Sequence, residues 1–368
     1  MPGLESGGFP GLPDRCPSFG RRFAHLRARV RGMTTANPIL VEVTRGSLVE
    51  SRHRGAAAVV DADGKVVRAW GDIERAVYPR SANKPLQAIA LVETGAAEAC
   101  GASDAEVALA CASHLAEPRH LDGVGGWLTR LGLGPDDLEC GPQTPGQIAS
   151  LEVLIRAGAA PSALHNNCSG KHTGMLATAV HLGEPTRGYI DHDHPVQRRL
   201  SATLAELYGL AGERLPWGVD GCGVPTQAVP LRALARGMAQ LADTSRLAPA
   251  RAAAARRITA AITAHPLMIG GSESISSRIT EALAGAVIAK TGAEGVYGAV
   301  LPAAGWGIAI KIDDGAARGA ELALAAVLER LGVLDAGDLE RLRRVVVPEL
   351  HNRAGRVVGT LRPGSGLR

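Results

Sequence analysis

The sequence predicts a mixed α/β (α+β) fold, with one antiparallel sheet built from strands at both ends of the chain and a helical lobe between them. Three observations predict it. Near the start, ILVEVTRG (39–46) reads as a strand, and AAAVVDADGKVVRAW (56–70) reads as a hairpin around the Asp63-Gly64 turn signal. Through the middle, apolar residues recur at spacings of three and four, the helical period. The tail returns to strand-like runs, AGAVIAK (284–290), GVYGAVLP (295–302) and GWGIAIKID (305–313).

Between the strand regions the spacing predicts helices over 86–94, 104–113, 117–131, 147–157, 171–182, 195–208, 231–242 and 249–264. Two more follow the last strand, at 315–332 and 336–346. The first and last strands must meet in one sheet, so a cleft between sheet and helical lobe is the natural place for a site. The expected organisation is one catalytic unit over 33–368, with a sheet lobe (33–75 and 284–368) and a helical lobe (80–283).

Composition narrows the function classes. The chain has 368 residues, enough for a sizeable core, with 46% hydrophobic and 21% charged residues, the balance of a soluble globular protein. No apolar run approaches the ~18 residues a membrane helix requires. The net charge of +4 arises in residues 1–32, where Arg15, Arg21, Arg22, Arg27, Arg29 and Arg31 face only Glu5 and Asp14. The remainder is balanced, so no basic face argues for nucleic acid. Residues 1–32 also hold all three phenylalanines and lack a secretory h-region with a cleavage site. They are expected to be a disordered extension upstream of a true start at Met33, with an Arg-rich targeting peptide as the alternative. Six scattered cysteines without a signal peptide point to reduced thiols or metal ligands, hence to a cytoplasmic protein.

The most informative count is lysine. Only Lys65, Lys84, Lys171, Lys290 and Lys311 occur among 40 cations. Arginine keeps its proton in a protein, so amine chemistry must fall to a lysine. Lys65 follows the Asp63-Gly64 turn and Lys311 sits in a strand-like run, and both read as incidental. Lys84 stands three residues after Ser81 in YPRSANKPLQA (78–88), on one face if the segment is helical. A serine hydroxyl needs a base, and a lysine serves only when neutral. The alternative is a serine that caps a helix beside a surface lysine. Pro85 leaves open whether Ser81 lies in the helix or on the turn before it.

Two further motifs follow in order, Ser113-His114 in CASHLAEPRH and Lys290-Thr291-Gly292 at a strand end. S-x-x-K, a serine-led middle motif and K-T-G form the acyl-transfer set of serine β-lactamases and penicillin-binding proteins. Ser-His-Leu departs from the expected Ser-Asp-Asn. HNNCSGKHTG (165–174) and GVDGCGVP (218–225) each set a cysteine among glycines. Two thiolates and a nitrogen from His165, Lys171 or His172 suit zinc, and two small buried cysteines at tight turns fit equally well. IDHDHPVQ (190–197) is more cheaply read as a helix start capped by Asp193 or His194, and TPGQ (144–147) as a helix entry.

Together ESRHRG (50–55), YPRSANKPLQA, ALACASH (108–114), ECGPQTP (139–145), HNNCSGKHTGML (165–176) and GVDGCGVPT (218–226) resemble the rhizobial-type, thermolabile-class L-asparaginases. That class is related in fold to serine β-lactamases and glutaminases. The resemblance implies a β-lactamase/glutaminase-like sheet and helical lobe, and hydrolysis of L-asparagine to L-aspartate and ammonia. It implies Ser81 as nucleophile beside Lys84, with Ser113 and Lys290 as a second pair. It implies zinc held by Cys168, Lys171 and Cys222, with Arg80, His172 and Asp220 at the substrate, and a homodimer. The rival expectations are a glutamine-specific or penicillin-recognising hydrolase of the same fold, and a non-catalytic zinc protein.

Overall fold

The computed structural model describes residues 36–367, so the expectations for residues 1–32 lie outside it. From residue 37 onward the described residues form one unit. Its N-terminal strands are β1 (Ile39–Arg45), β2 (Leu48–Asp61) and β3 (Val66–Trp70), the last two joined through the expected Asp63-Gly64 turn. A short β4 (Ala76–Val77) follows.

The helical middle opens with α1 (Lys84–Gln87), α2 (Ile89–Glu93), α3 (Ala96–Ala99), α4 (Asp104–Ala110) and α5 (Pro118–Arg130). It continues through α6 (Ile148–Arg156), α7 (Ser169–Leu182) and α8 (Pro195–Tyr208). Next come β5 (Trp217–Val219), β6 (Pro225–Gln227) and β7 (Val229–Pro230). The segment ends with α9 (Leu231–Ala242), α10 (Pro249–Ala264) and α11 (Ile275–Ala282). The tail holds β8 (Ile288–Gly292), β9 (Val296–Leu301), β10 (Trp306–Ile312), α12 (Ala317–Leu331), α13 (Ala336–Val345), β11 (Glu349–His351) and β12 (Val357–Pro363).

Eight strands make the main sheet, in the order β11-β12-β1-β2-β10-β9-β8 with β3 also on β2. Every recorded pairing in it is antiparallel. Strands from the two ends of the chain interleave, as predicted. The period of two then sorts side chains between two cores. Ala56, Ala58 and Val60 of β2 face a core with α2, α4, α9 and α10. Ala57 and Val59 face a second core with α11, α12 and α13. Both faces are covered, which is why these strands read as continuous apolar runs.

Four corrections follow. The expected helix 86–94 is two short helices, α1 and α2. The middle is not wholly helical, since β5 and β6 form a hairpin whose turn carries Asp220 and Cys222. The strand β12 was not foreseen. Its run VVGTLRP is short and broken by Gly359, and only pairing with β1 (Val43↔Leu361) makes it a strand. The α11 helix was also missed, because its SSRIT stretch offers few apolar positions.

Helix α9 lies so close to β10 that a Cβ on Gly307 would sit 2.0 Å from the carbonyl oxygen of Ala235 and 2.3 Å from the nitrogen of Ala239. Both are backbone atoms and neither can swing aside. Gly307→Ala is therefore expected to lower unfolding free energy by about 1–3 kcal/mol, the usual overpacking penalty. Chemical denaturation would show it, and an unchanged midpoint would mean that α9 shifts freely.

Candidate active site

The Ser81 motif begins on a 3₁₀ turn, Arg80–Asn83, and α1 starts at Lys84 with Pro85 in its first turn. Ser81 therefore lies on the turn, which settles the question Pro85 raised. Proline has no N–H to donate and fits a helix start. Arg80 holds φ at 51°, a left-handed conformation that a non-glycine residue adopts at a cost. Its guanidinium is tied to Asp220, with Nε 2.9 Å and Nη2 2.8 Å from the carboxylate. Burial opposes the Asp220 charge, but the bonds to Arg80 and the Gly221 N–H outweigh it and lower that pKa. The β5–β6 turn and the Ser81 turn are thereby clamped together.

The end of β8 meets the same turn. A Cβ on Gly292 would lie 2.8 Å from Pro79 O and 3.1 Å from Ala82 N. Glycine in Lys290-Thr291-Gly292 is thus what lets the strand approach the serine turn. Ala82 N–H already donates to Pro79 O at 3.1 Å, so it is not a free oxyanion donor.

The two lysine amines converge on one hydroxyl. Lys84 Nζ donates to Ser113 Oγ at 3.0 Å and to the carbonyl of Ala112. Lys290 Nζ lies 2.8 Å from Ser113 Oγ and donates to Thr291 O at 2.9 Å. The sequence paired Ser81 with Lys84 and Ser113 with Lys290. The structure keeps the Ser113–Lys290 pair and brings the Lys84 amine to Ser113 as well, while the Lys84 contacts do not include Ser81 Oγ. Both lysines are buried, at 1% and 2% exposure. Burial, reinforced by the Lys84 charge, holds Lys290 well below the usual lysine range. A buried amine with a depressed pKa beside a serine hydroxyl is the chemistry the lysine count pointed to. Ser81 itself is half-buried, reachable by a small molecule.

A profile of the family described as L-asparaginase II matches residues 41–363. The chain belongs to the L-asparaginase II family. No curated protein sequence matches it. Among solved structures it is similar to Mglu in its native form in 4.3 M NaCl, at 17% identity and a TM-score of 0.41 over 77% of this chain. The chain spans 62% of the length of that Mglu chain. It is also similar to a β-lactamase from Mycobacterium bovis, at 14% identity and a TM-score of 0.37 over 80% of this chain and 95% of the other.

In this L-asparaginase II family chain, the predicted metal residues lie beside the lysine cluster. Cys168 is the residue before α7, Lys171 and His172 are in its first turns, and Cys222 reaches over from the β5–β6 turn. Lys171 Nζ is 3.1 Å from Cys222 Sγ. A hydrogen bond from Cys168, then the Lys171 charge, overcomes burial and draws the Cys222 thiol down to about 4. The Cys168 thiol, which shares that bond and is buried, is pushed up to about 12. Burial opposes the Lys171 charge, but the Cys222 thiolate and then Cys168 raise its pKa. Among the described residues, no group of three or more His, Cys, Asp and Glu stands together as a metal site. A three-ligand site therefore needs the Lys171 amine. Cys168, Cys222 and the Lys171 amine are the residues that would hold a metal there, once Lys171 gives up its proton.

His172 is fully buried, with Nδ1 2.8 Å from Tyr189 OH and no partner at Nε2. Burial and the Lys171 charge lower its pKa well below normal, so it is neutral. Sequence reasoning missed Tyr189, which fixes that ring and accepts the Glu139 N–H at 2.9 Å. It also missed Tyr208, whose hydroxyl accepts from Asn83, between Ser81 and Lys84, at 3.0 Å. A signal existed, because tyrosine is even scarcer than lysine, with four in the chain. His194 caps α8 through Val196 N at 3.2 Å, as expected for IDHDHPVQ. The five cysteines described are free thiols. No helix among the described residues is long and apolar enough to cross a membrane.

Proposed function

We propose that this protein hydrolyses L-asparagine to L-aspartate and ammonia through a seryl acyl-enzyme. The observation that carries this reading is Ser113 Oγ held between two buried lysine amines, beside the strained turn that presents Ser81. Ser81 is the nucleophile and Lys84, three residues on, is its base, which requires the Lys84 amine to turn from Ser113 Oγ to Ser81 Oγ during the reaction. Neutral Lys290 accepts a proton from Ser113, and Ser113 passes protons between the two amines. The Ser81 oxygen forms a bond to the side-chain amide carbon, and the carbon–nitrogen bond breaks. The leaving nitrogen takes a proton from this relay and departs as ammonia. Water then cleaves the aspartyl ester, and the proton returns to Ser81. Arg80 and Asp220, locked to each other, and His172 line the substrate side.

Ammonia release from asparagine and glutamine, beside hydrolysis of a chromogenic cephalosporin, tests the assignment. Asparagine turnover well above the other two is expected. Glutamine or cephalosporin turnover in its place would replace the reading.

Zinc bound by Cys168, Lys171 and Cys222 would supply a fixed positive charge that favours neutral amines nearby. Cys222 is already a thiolate at neutral pH, whereas the Cys168 thiol and Lys171 must each lose a proton to become ligands. Zinc affinity is therefore expected to fall steeply as pH is lowered. Equilibrium dialysis with metal analysis between about pH 9 and about pH 6 reads this directly. A flat profile would remove both Lys171 and Cys168 from the ligand set, and full affinity in Cys222→Ser would remove the site.

A further inference from the structure

The strand β8 carries Lys290 at the edge of the sheet, where its outward N–H groups have no strand to pair with. Helix α11 supplies the partners. Thr280 Oγ1 accepts the Ala289 N–H at 3.1 Å, and Ser276 Oγ accepts the Thr291 N–H at 2.9 Å. The two bonds flank Lys290. Ser276 Oγ also lies 2.8 Å from Tyr297 OH in β9, so helix, edge strand and next strand share one polar junction. The Lys290 amine, in turn, donates to Thr291 O.

On its other side α11 borders a groove of about 290 Å³, closed by α12 and by the chain from the end of α13 into β11. The walls are mostly apolar, with Leu322, Val346, Leu350 and Leu361 among them. Two opposite charges also line it, Arg278 from α11 and Glu321 from α12. Neither has an ion-pair or hydrogen-bond partner among the described residues, and they do not pair with each other. The third charge, Arg318, is engaged, its Nε 3.0 Å from His53 Nε2 and its Nη2 3.2 Å from Ser51 Oγ. Burial raises the Glu321 carboxyl above its usual range. A half-buried carboxylate and a half-buried guanidinium, each without a partner, are costly to keep in an apolar groove unless something pairs them.

One class of ligand pairs both. A simple carboxylate would leave Glu321 alone, and a simple amine would leave Arg278 alone. A zwitterion satisfies the two together, and the apolar walls call for a hydrocarbon side chain. We propose that this groove binds an aliphatic α-amino acid, its carboxylate on Arg278 and its ammonium on Glu321, and that its occupancy is transmitted through α11 to Lys290. The route is short. Arg278 lies two residues from Ser276 and Thr280, and the Glu321 charge already bears on Tyr297, the Ser276 partner. A ligand that draws α11 and α12 together changes how firmly Ser276 and Thr280 hold β8. This is a coupling between two sites, so it must appear as a change at Lys290.

Titration calorimetry on the full chain tests the binding half without relying on the proposed activity. L-Leucine is expected to bind. 4-Methylpentanoate, which lacks the ammonium, and 3-methylbutylamine, which lacks the carboxylate, are each expected to bind at least about ten-fold more weakly, because each leaves a protein charge unpaired. Glu321→Gln should erase the preference for leucine over 4-methylpentanoate, and Arg278→Gln the preference over the amine. No binding heat with millimolar leucine, or leucine affinity unchanged in both variants, would overturn the site. For the coupling half, saturating leucine is expected to shift the acid limb of the rate–pH profile in the parent but not in Arg278→Gln. A bound leucine that leaves the limb in place would overturn the coupling.

Discussion

Ser81→Ala is expected to lower kcat for asparagine hydrolysis on the order of 10⁴-fold or more, while the folded state and the lysine cluster remain. Ser81 is half-buried rather than in the core, so the lost hydroxyl leaves no large cavity to destabilise the fold. Ser113→Ala has a different expected signature. Its hydroxyl connects Lys84 and Lys290, so its loss should slow turnover while Ser81 can still be acylated. Rapid quench with asparagine, followed by peptide mapping, distinguishes the two serines. An aspartyl adduct on Ser81 in the parent, still formed slowly in Ser113→Ala and missing in Ser81→Ala, fits the proposal. An adduct on Ser113 would reverse the roles, and substantial turnover by Ser81→Ala would end the acyl-enzyme scheme as written.

Lys290→Met is expected to lower kcat by about 10²–10⁴-fold, the usual contribution of a positioned acid–base group. The sign of the pH dependence follows from its burial. Burial first, and the Lys84 charge second, depress the Lys290 pKa, so the neutral amine is the dominant form above that depressed value. Activity in the parent should therefore fall as pH drops through it, and Lys290→Met should lose that acid limb. Stability should move the other way from activity. A lysine whose pKa is lowered on folding binds more protons unfolded than folded, so it destabilises the fold below its normal pKa of about 10.4. Methionine fills a similar volume without that penalty, and Lys290→Met should be at least as stable as the parent at neutral pH. Retained activity with the acid limb intact would remove Lys290 from the proton path.

Much of this site was legible in the sequence because its residues are costly to place by chance. In a chain where nearly all cations are arginine, Lys84, Lys171 and Lys290 stand out, and each is buried. The two lysines read as incidental lie apart from that cluster. Lys65 is exposed beside its turn, and Lys311 Nζ donates to Ile312 O at 2.7 Å. Strands β1, β9 and β10 and the second half of β2, from Ala56, were legible because apolar runs of strand length between turn signals have few other uses. The short β12 and the polar α11 were not, because their stability comes from a neighbour: β12 pairs with β1, and α11 packs beside β8 and caps its edge.

By itself the sequence determined which residue types were available for chemistry, and that the two ends of the chain supply one sheet, since local periodicity and residue scarcity are properties of the chain. Which serine Lys84 addresses was decided only by tertiary structure. Ser81 and Lys84 are three apart in sequence, yet a 3₁₀ turn and a helix start are not one continuous helix face, and the Lys84 amine reaches Ser113 instead. Lys290 comes to the same hydroxyl from 177 residues away, a proximity set by how β8 docks against the Ser81 turn and α11, which no local pattern encodes.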